Sequence, residues 1–341
     1  MTPRKTALSA IAIAPPDATV ADIAAEVKAQ FGLTGDYVPL VSERDQNFRL
    51  TCRDGRRFVV KVTSSLEEPA VTDFQIDALL HLEREPRLAL PRVVRTADGH
   101  KSGTIDVGGT ACRLRVVGFV EGTPIDELDL TSALAASFGT ALARLDQALD
   151  GFTHPGEQPL LLWDMQRTSE VRDLLGYIDD EGLRQRVSAV IDDFDERVAP
   201  IMPALRSQVI HCDANPENVL QCEHGIGFID FGDMMRAPLV FDVAIAAAYL
   251  RAEDPLKLVV PFVMAYRREY PLLDEELDLL FDLLRSRLAT SITLLYWRSR
   301  ERDAEDEYRN KLLASEQSAI SFLRALDALG RERFRRAFDQ L

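Results

Sequence analysis

The chain is poor in the residues that build zinc sites and disulfide frameworks. Its 341 residues include only four cysteines and five histidines. Cys52, Cys112, Cys212 and Cys222 show no C-x-x-C spacing and no Cys/His cluster of the zinc kind. Scattered cysteines of this sort fit a reducing compartment, and the cytoplasm is expected. Positive charge is also in deficit: 40 Lys and Arg stand against 55 Asp and Glu, a net charge of −15. That balance argues against binding bulk nucleic acid or an anionic membrane, both of which need a basic patch. It is compatible with a cationic ligand, although most acidic chains are simply soluble. No apolar run is long enough to span a bilayer. Arg4 and Lys5 ahead of Ala7–Ala14 loosely imitate a signal peptide, but the apolar stretch is short and poor in leucine, so retention is expected. Internal repeats and low-complexity tracts are missing as well. What remains is an ordinary globular composition, 46% hydrophobic and 28% charged, enough for one large or two medium domains.

The first part of the chain reads as sheet-rich. Thr19 with Asp22 three residues on marks a helix start, and the helix should stop at Gly32. Asn47–Cys52 and Arg57–Val62 flank an Asp54-Gly55 turn and predict a hairpin. Val71–Leu82 has helical spacing. Thr104–Val107 and Cys112–Val117 around Gly108-Gly109 predict a second hairpin. Beyond a short connector the texture becomes helical, with helices expected over Leu134–Leu149, Glu170–Leu175, Leu183–Arg197, Val243–Leu250, Leu256–Arg268, Glu275–Arg300 and Ala304–Leu329. Only Val209–Ile229 interrupts with strand-like material. The expectation is an α+β, two-lobed chain: residues 1–117 as a small antiparallel-sheet lobe, 118–122 as a hinge, and 123–341 as a larger, mainly helical lobe.

The chemistry is concentrated in one segment. His211-Cys-Asp213-Ala-Asn-Pro-Glu-Asn218 is followed, across a short hairpin turning at Glu223-His224-Gly225, by Asp230-Phe231-Gly232. This is H-x-D-x-x-x-x-N and then D-F-G, the two catalytic signatures of kinases. Phosphoryl transfer needs metal ions held on the β- and γ-phosphates and a nucleophile aimed in line. Asn218 and Asp230 carry the hard oxygen atoms that Mg²⁺ prefers. Asp213 is placed to accept the proton of an acceptor hydroxyl, or to hold that hydroxyl in line. His211 is expected to brace the loop. Singly, each of these residues has an ordinary reading as a turn or cap. Six fixed residues at roughly 5% usage each coincide at a given start about once in 10⁸.

This segment resembles the aminoglycoside phosphotransferase and choline kinase superfamily, whose fold is similar to protein kinases. Glu43–Phe48, Phe58-Val-Val-Lys61-Val62, Leu142–Asp146, Leu162-Trp163-Asp164 and Phe241-Asp242-Val-Ala244 extend the likeness over nearly the whole chain. Within it, Ser42–Phe48 and Asp230–Met234 are most similar to hydroxylysine kinases and to the kinase-like domains fused to class III aminotransferases. The resemblance implies that Lys61 contacts the α- and β-phosphates. It implies that Ser42, Glu43, Arg44, Asp45, Gln46 and Asn47 cover the phosphates, and that Gly118, Phe119 and Val120 read the base. The donor is then ATP or GTP with Mg²⁺. Family members usually pair the lysine with a helix glutamate, but this chain places Gln75 there, where it is expected either to hydrogen-bond the lysine or to mark a shifted register. Asp242 is expected to brace the catalytic loop. Asp146 stands where many relatives have histidine and is expected to be structural. A protein kinase is disfavoured: no G-x-G-x-x-G precedes Lys61, and Phe241-Asp242 follows Asp230-Phe-Gly232 too closely for a long activation loop.

For the acceptor, Asp233, Arg236, Trp163, Asp164, Tyr296, Trp297 and Arg298 are candidate lining residues. An acidic pair suits an ammonium group and an arginine suits a carboxylate. The expected acceptor is a small hydroxylated amine or amino acid, handled by a monomer or homodimer, with no nucleic acid or membrane partner. The alternatives are an antibiotic kinase, a stress-response Ser/Thr kinase and a nucleotide-binding pseudokinase.

Overall fold

A computed structural model describes residues 15–42, 44–300 and 307–339, without the side chains of 307–316. Glu43 and the N-terminal stretch with Arg4, Lys5 and Ala7–Ala14 lie outside the described residues. The chain forms two compact units: one holds the residues up to Gly122 together with Phe152–Leu162 and Gly227–Gly232, and the other holds Thr123–Gly151, Trp163–Ile226 and the chain from Asp233 on.

In the first unit α1 (Val20–Phe31) is capped as the sequence dictates. The Thr19 hydroxyl accepts from Asp22 N, and Gly32, at φ 68°, closes the C-terminus by donating to Lys28 O. Five strands follow, β1 (Gly35–Leu40), β2 (Asp45–Cys52), β3 (Arg57–Thr63), then after α2 (Pro69–Leu82) the pair β4 (Gly103–Val107) and β5 (Thr110–Gly118). They make one antiparallel sheet in the order β1-β2-β3-β5-β4. One face carries Phe48, Leu50, Phe58, Val60, Val62, Leu114 and Val116, which pack with Ile23, Val27 and Phe31 of α1. Phe152–Leu162 joins this unit through Phe152 and His154, whose rings stack on Phe74 of α2.

The second unit is helical. It contains β6 (Thr123–Pro124), α3 (Ser132–Leu149), α4 (Glu181–Asp193), β7 (Ser207–Ile210), β8 (Val219–Cys222), β9 (Gly225–Phe228, whose last two residues fall in the first unit), β10 (Met235–Pro238), α5 (Leu239–Ala247), α6 (Leu256–Glu269), α7 (Asp274–Arg300), α8 (Glu307–Leu329) and α9 (Arg331–Arg336). Every residue of α5 is buried, which makes it the axis of the core. α3 lies close against α6: a Cβ added at Gly139 would fall 2.1 Å from Phe262 O. Glu276 on α7 is fully buried and accepts a bidentate pair from Arg206 (2.6 and 2.8 Å). No helix among the described residues is long and apolar enough to cross a membrane.

The strand expectations need three additions. β1, β6 and β10 were not anticipated, and each contains a proline (Pro39, Pro124 and Pro238) that masks the strand pattern. β1 is an edge strand, where a missing N–H does no harm. The helix expected over Glu170–Leu175 is a longer 3₁₀ stretch, Met165–Tyr177.

Candidate active site

The sheet unit gathers a charged cluster on one face. Lys61 on β3 stands directly between Asn47 on β2 and Arg115 on β5. Its ammonium lies 3.8 Å from Asp45 Oδ2 and 3.7 Å from Asp230 Oδ1. Asp230 sits at φ 55°, a conformation that a non-glycine residue adopts at some cost and that recurs at functional sites. Its carboxylate accepts from Gly232 N (3.2 Å), and a Cβ at Gly232 would stand only 3.0 Å from that oxygen. A glycine here therefore keeps the carboxylate's side clear.

The other residues expected around a nucleotide are placed as follows. Ser42 Oγ accepts from Asp45 N (3.3 Å), which shapes the entry to β2. Arg44 reaches the neighbourhood of Gly232. Gln46 exchanges two hydrogen bonds with the backbone of Ala18 (both 2.9 Å), so its amide is spent on anchoring the segment before α1. Asn47 Oδ1 is buried with no hydrogen-bond partner among the described residues. Gln75 does not serve Lys61: its Nε2 donates to Gly232 O (3.1 Å) and its Oε1 accepts from Arg115 (2.8 Å). Gly118 N and Phe119 N donate to Arg92 O (2.8 Å) and Arg57 O (3.1 Å), so these two donors are already used inside the unit.

The helical unit builds the catalytic loop between β7 and β8. Cys212 takes the left-handed conformation at φ 66°, which turns the chain sharply between His211 and Asp213. Asp242 of α5 holds that turn, accepting from His211 N (3.0 Å) and Cys212 N (2.8 Å) while fully buried. His211 is buried too, and its Nδ1 accepts from Asp213 N (3.3 Å). The Asp213 carboxylate is then fixed on both oxygens. Asn215 Nδ2 donates to Oδ1 (3.1 Å), and Asn218 Nδ2 donates to Oδ2 (2.8 Å) and to the Asp213 carbonyl (3.0 Å). Both bonds from Asn218 use its nitrogen, and its side-chain oxygen is the atom a hard cation prefers.

Arg287 of α7 was not anticipated. It is almost wholly buried, with Nη2 3.8 Å from Asp213 Oδ1. The guanidinium also donates to Tyr249 Oη (3.2 Å) and Trp163 O (3.4 Å), and it stacks over both rings. The one sequence signal was an arginine inside the apolar-rich run Leu283–Leu295, a setting in which a charge needs a partner. Among the residues expected at the acceptor, Asp164 is a helix cap. It accepts from Gln166 N (2.9 Å), and burial pushes its carboxyl up. Arg236 donates to Ser207 O (3.0 Å), Trp163 lies under Arg287 and Arg298, and Trp297 is buried while Tyr296 is half-buried. Asp233 is half-buried beside the motif. Among the described residues no three His, Cys, Asp or Glu side chains cluster at metal-binding spacing.

Residues 36–276 match the phosphotransferase enzyme family. The hydroxylysine kinase of Danio rerio is 27% identical over 332 residues, covering 92% of this chain and 93% of that protein. That of Mus musculus is 27% identical, covering 83% of each. Among solved structures, a microcompartment-associated aminopropanol kinase covers 92% of this chain and 96% of its own at a TM-score of 0.65 and 19% identity. An amicoumacin kinase bound to AMP-PNP and Ca²⁺ gives a TM-score of 0.64 at 19% identity, covering 84% and 87%. These structures share the fold, a sheet lobe with a helical lobe of the kinase type. With the family match spanning most of the chain, the chain belongs to the phosphotransferase enzyme family and is a small-molecule kinase.

Proposed function

We propose that the protein moves the γ-phosphoryl group of ATP or GTP to a side-chain hydroxyl of a small amino acid that carries an amine, with hydroxylysine the leading acceptor. The observation that carries this reading is the fixed carboxylate of Asp213, held by Asn215 and Asn218 and flanked by Arg287. A carboxylate already oriented by three neighbours loses little freedom when it receives a hydroxyl, and orientation is most of what phosphoryl transfer asks of a protein. Asp213 takes the hydroxyl proton or holds the hydroxyl in line. Lys61 holds the phosphates, as an ammonium on a central strand can. The similarity to proteins named hydroxylysine kinases supports the acceptor.

Mg²⁺ fits the residues available. It keeps several waters and binds through one or two protein oxygens plus phosphate, so it needs no cage of three carboxylates. Asn218 and Asp230 would hold it, and when bound it neutralises charge developing on the phosphoryl oxygens. In the connector, the donors of Gly118 and Phe119 being spent, base recognition falls to carbonyl oxygens and to Val120. Cytoplasmic residence is part of the same reading, from the four free cysteines.

The test is release of nucleoside diphosphate across hydroxylysine, other hydroxylated amino acids, amino alcohols and aminoglycosides, with ATP and with GTP. Turnover is expected with a hydroxylated amino acid. Turnover confined to aminoglycosides would reassign the acceptor.

A further inference from the structure

Lys61 and Arg115 are direct neighbours on adjacent strands, so their side chains share a face of the sheet. Two cations in that position repel unless an anion lies between them. The anion present is Asp45, two residues before Asn47, the residue paired with Lys61 on the other side. Its Oδ2 receives Arg115 Nη2 at 2.9 Å and stands 3.8 Å from Lys61 Nζ. Arg115 is locked in turn: Nη2 also donates to Thr63 Oγ1 (2.8 Å) and Nη1 to Gln75 Oε1 (2.8 Å). Arg115 and Asp45 are both largely shielded from water, where a charged pair keeps more of its strength than on the surface.

We propose that Asp45 is the positioning carboxylate of Lys61, supplied by strand β2 rather than by helix α2, and that Arg115 and Gln75 exist to hold it. This rests on the reading of Lys61 as the phosphate-binding lysine. Asp230 is the second anion near Lys61, but it is half-exposed, and a carboxylate that engages a metal gives up its hold on an ammonium. Asp45 then remains as the fixed counter-ion. It keeps Lys61 extended toward the phosphates and offsets the repulsion from Arg115. A neutral amide at position 75 belongs to this arrangement. A carboxylate there would compete with Asp45 for the same guanidinium.

The experiment compares Asp45→Asn, Asp45→Glu, Lys61→Met and the double variant Asp45→Asn/Lys61→Met. Initial rates are measured against nucleotide concentration, with melting temperature measured alongside. Asp45→Asn is expected to lower kcat/KM for nucleotide about 10²-fold, the scale of a misplaced catalytic group. Asp45→Glu is expected to recover part of that loss. The double variant is expected to be no worse than Lys61→Met alone, since the two residues act as a unit. Losses that multiply in the double variant would reduce Asp45 to a structural partner of Arg115 and overturn the proposal. So would wild-type kinetics for Asp45→Asn beside an impaired Lys61→Met. Wild-type kinetics for Lys61→Met itself would remove the lysine from the nucleotide site, and this proposal with it. If Asp45→Asn fails to fold, Gln75→Glu serves instead: it keeps the acceptor for Arg115 and gives up the donation to Gly232 O. It is expected to lower kcat/KM by drawing Arg115 away, and a gain above wild type would overturn the proposal.

Discussion

Two carboxylates, Asp146 on α3 and Asp242 on α5, are fully buried in the helical unit. Asp242 spends both oxygens on backbone donors of the catalytic loop, so its anion is solvated by the protein. Asp146 accepts only from Tyr266 Oη (2.6 Å), and its other oxygen has no donor among the described residues. Burial, and then the charge of Asp242, push the Asp146 carboxyl well above its usual range. Burial raises Asp242 as well, but His211 and the backbone donors oppose the rise. Burial and the neighbouring charge of Asp242 therefore favour the protonated form of Asp146. The sign of the pH effect follows. A carboxyl raised in the folded state binds its proton more tightly there, so the stability it contributes is full below the unfolded value and is lost as pH rises toward the folded value. Asp146→Asn keeps an acceptor for Tyr266 Oη and removes the titration. Its urea midpoint is expected to change less between pH 5 and pH 8 than that of the wild type. An unchanged slope would place the proton elsewhere. Asp146→Leu strands the buried Tyr266 hydroxyl without its acceptor and is expected to cost about 1–3 kcal/mol.

Among the elements, α7 does more than fill the core. It carries Arg287 to the side of Asp213, where the guanidinium lies over the rings of Trp163 and Tyr249. Arg287→Met preserves volume and removes the charge. The expected result is a fall in kcat of about 10- to 100-fold with KM for nucleotide little changed, read from steady-state kinetics. An equal rise in KM would tie Arg287 to nucleotide binding instead. α3 and α6 make a separate prediction, because their close approach leaves no room at Gly139. Gly139→Val should lower stability by about 1–3 kcal/mol in denaturant titration, with kinetic constants intact at temperatures where the protein stays folded. These elements also show what was legible. α1, both hairpins of the sheet and α7 were plain because caps, Asp-Gly and Gly-Gly turns and apolar spacing are local signals. The motif residues His211, Asp213, Asn218 and Asp230 were plain because their spacing is fixed. Arg287 and Arg115 were not, since each acts on a residue far away in sequence, and only the folded chain brings Arg287 to Asp213 or Arg115 to Asp45. The commitment of the Gln46 amide to Ala18 was hidden for the same reason.

For the molecule as a whole, the proposed roles of Asp230 and Asp213 separate nucleotide binding from transfer. A ligand that binds only the folded state stabilises it in proportion to the logarithm of its concentration over Kd, about 2.7 kcal/mol at a hundredfold excess. Mg²⁺ with ATP or GTP should therefore raise the melting temperature of the wild-type protein, and the nucleotide giving the larger rise at equal concentration is the preferred donor. Asp230→Ala removes one of the two side chains assigned to the metal and should lose most of that rise. Asp213→Ala should keep it, because its carboxylate is assigned to the acceptor hydroxyl, yet phosphoryl transfer should fall to background. The pair of variants is more telling than either alone. Loss of the thermal shift in both would mean that the Asp213 loop supports nucleotide binding through the hydrogen bonds from Asn218. Retention of the shift in both would take Asp230 out of the metal site. Only the split result, binding lost in one and turnover lost in the other, matches a kinase whose metal ligand and hydroxyl-positioning carboxylate are distinct groups.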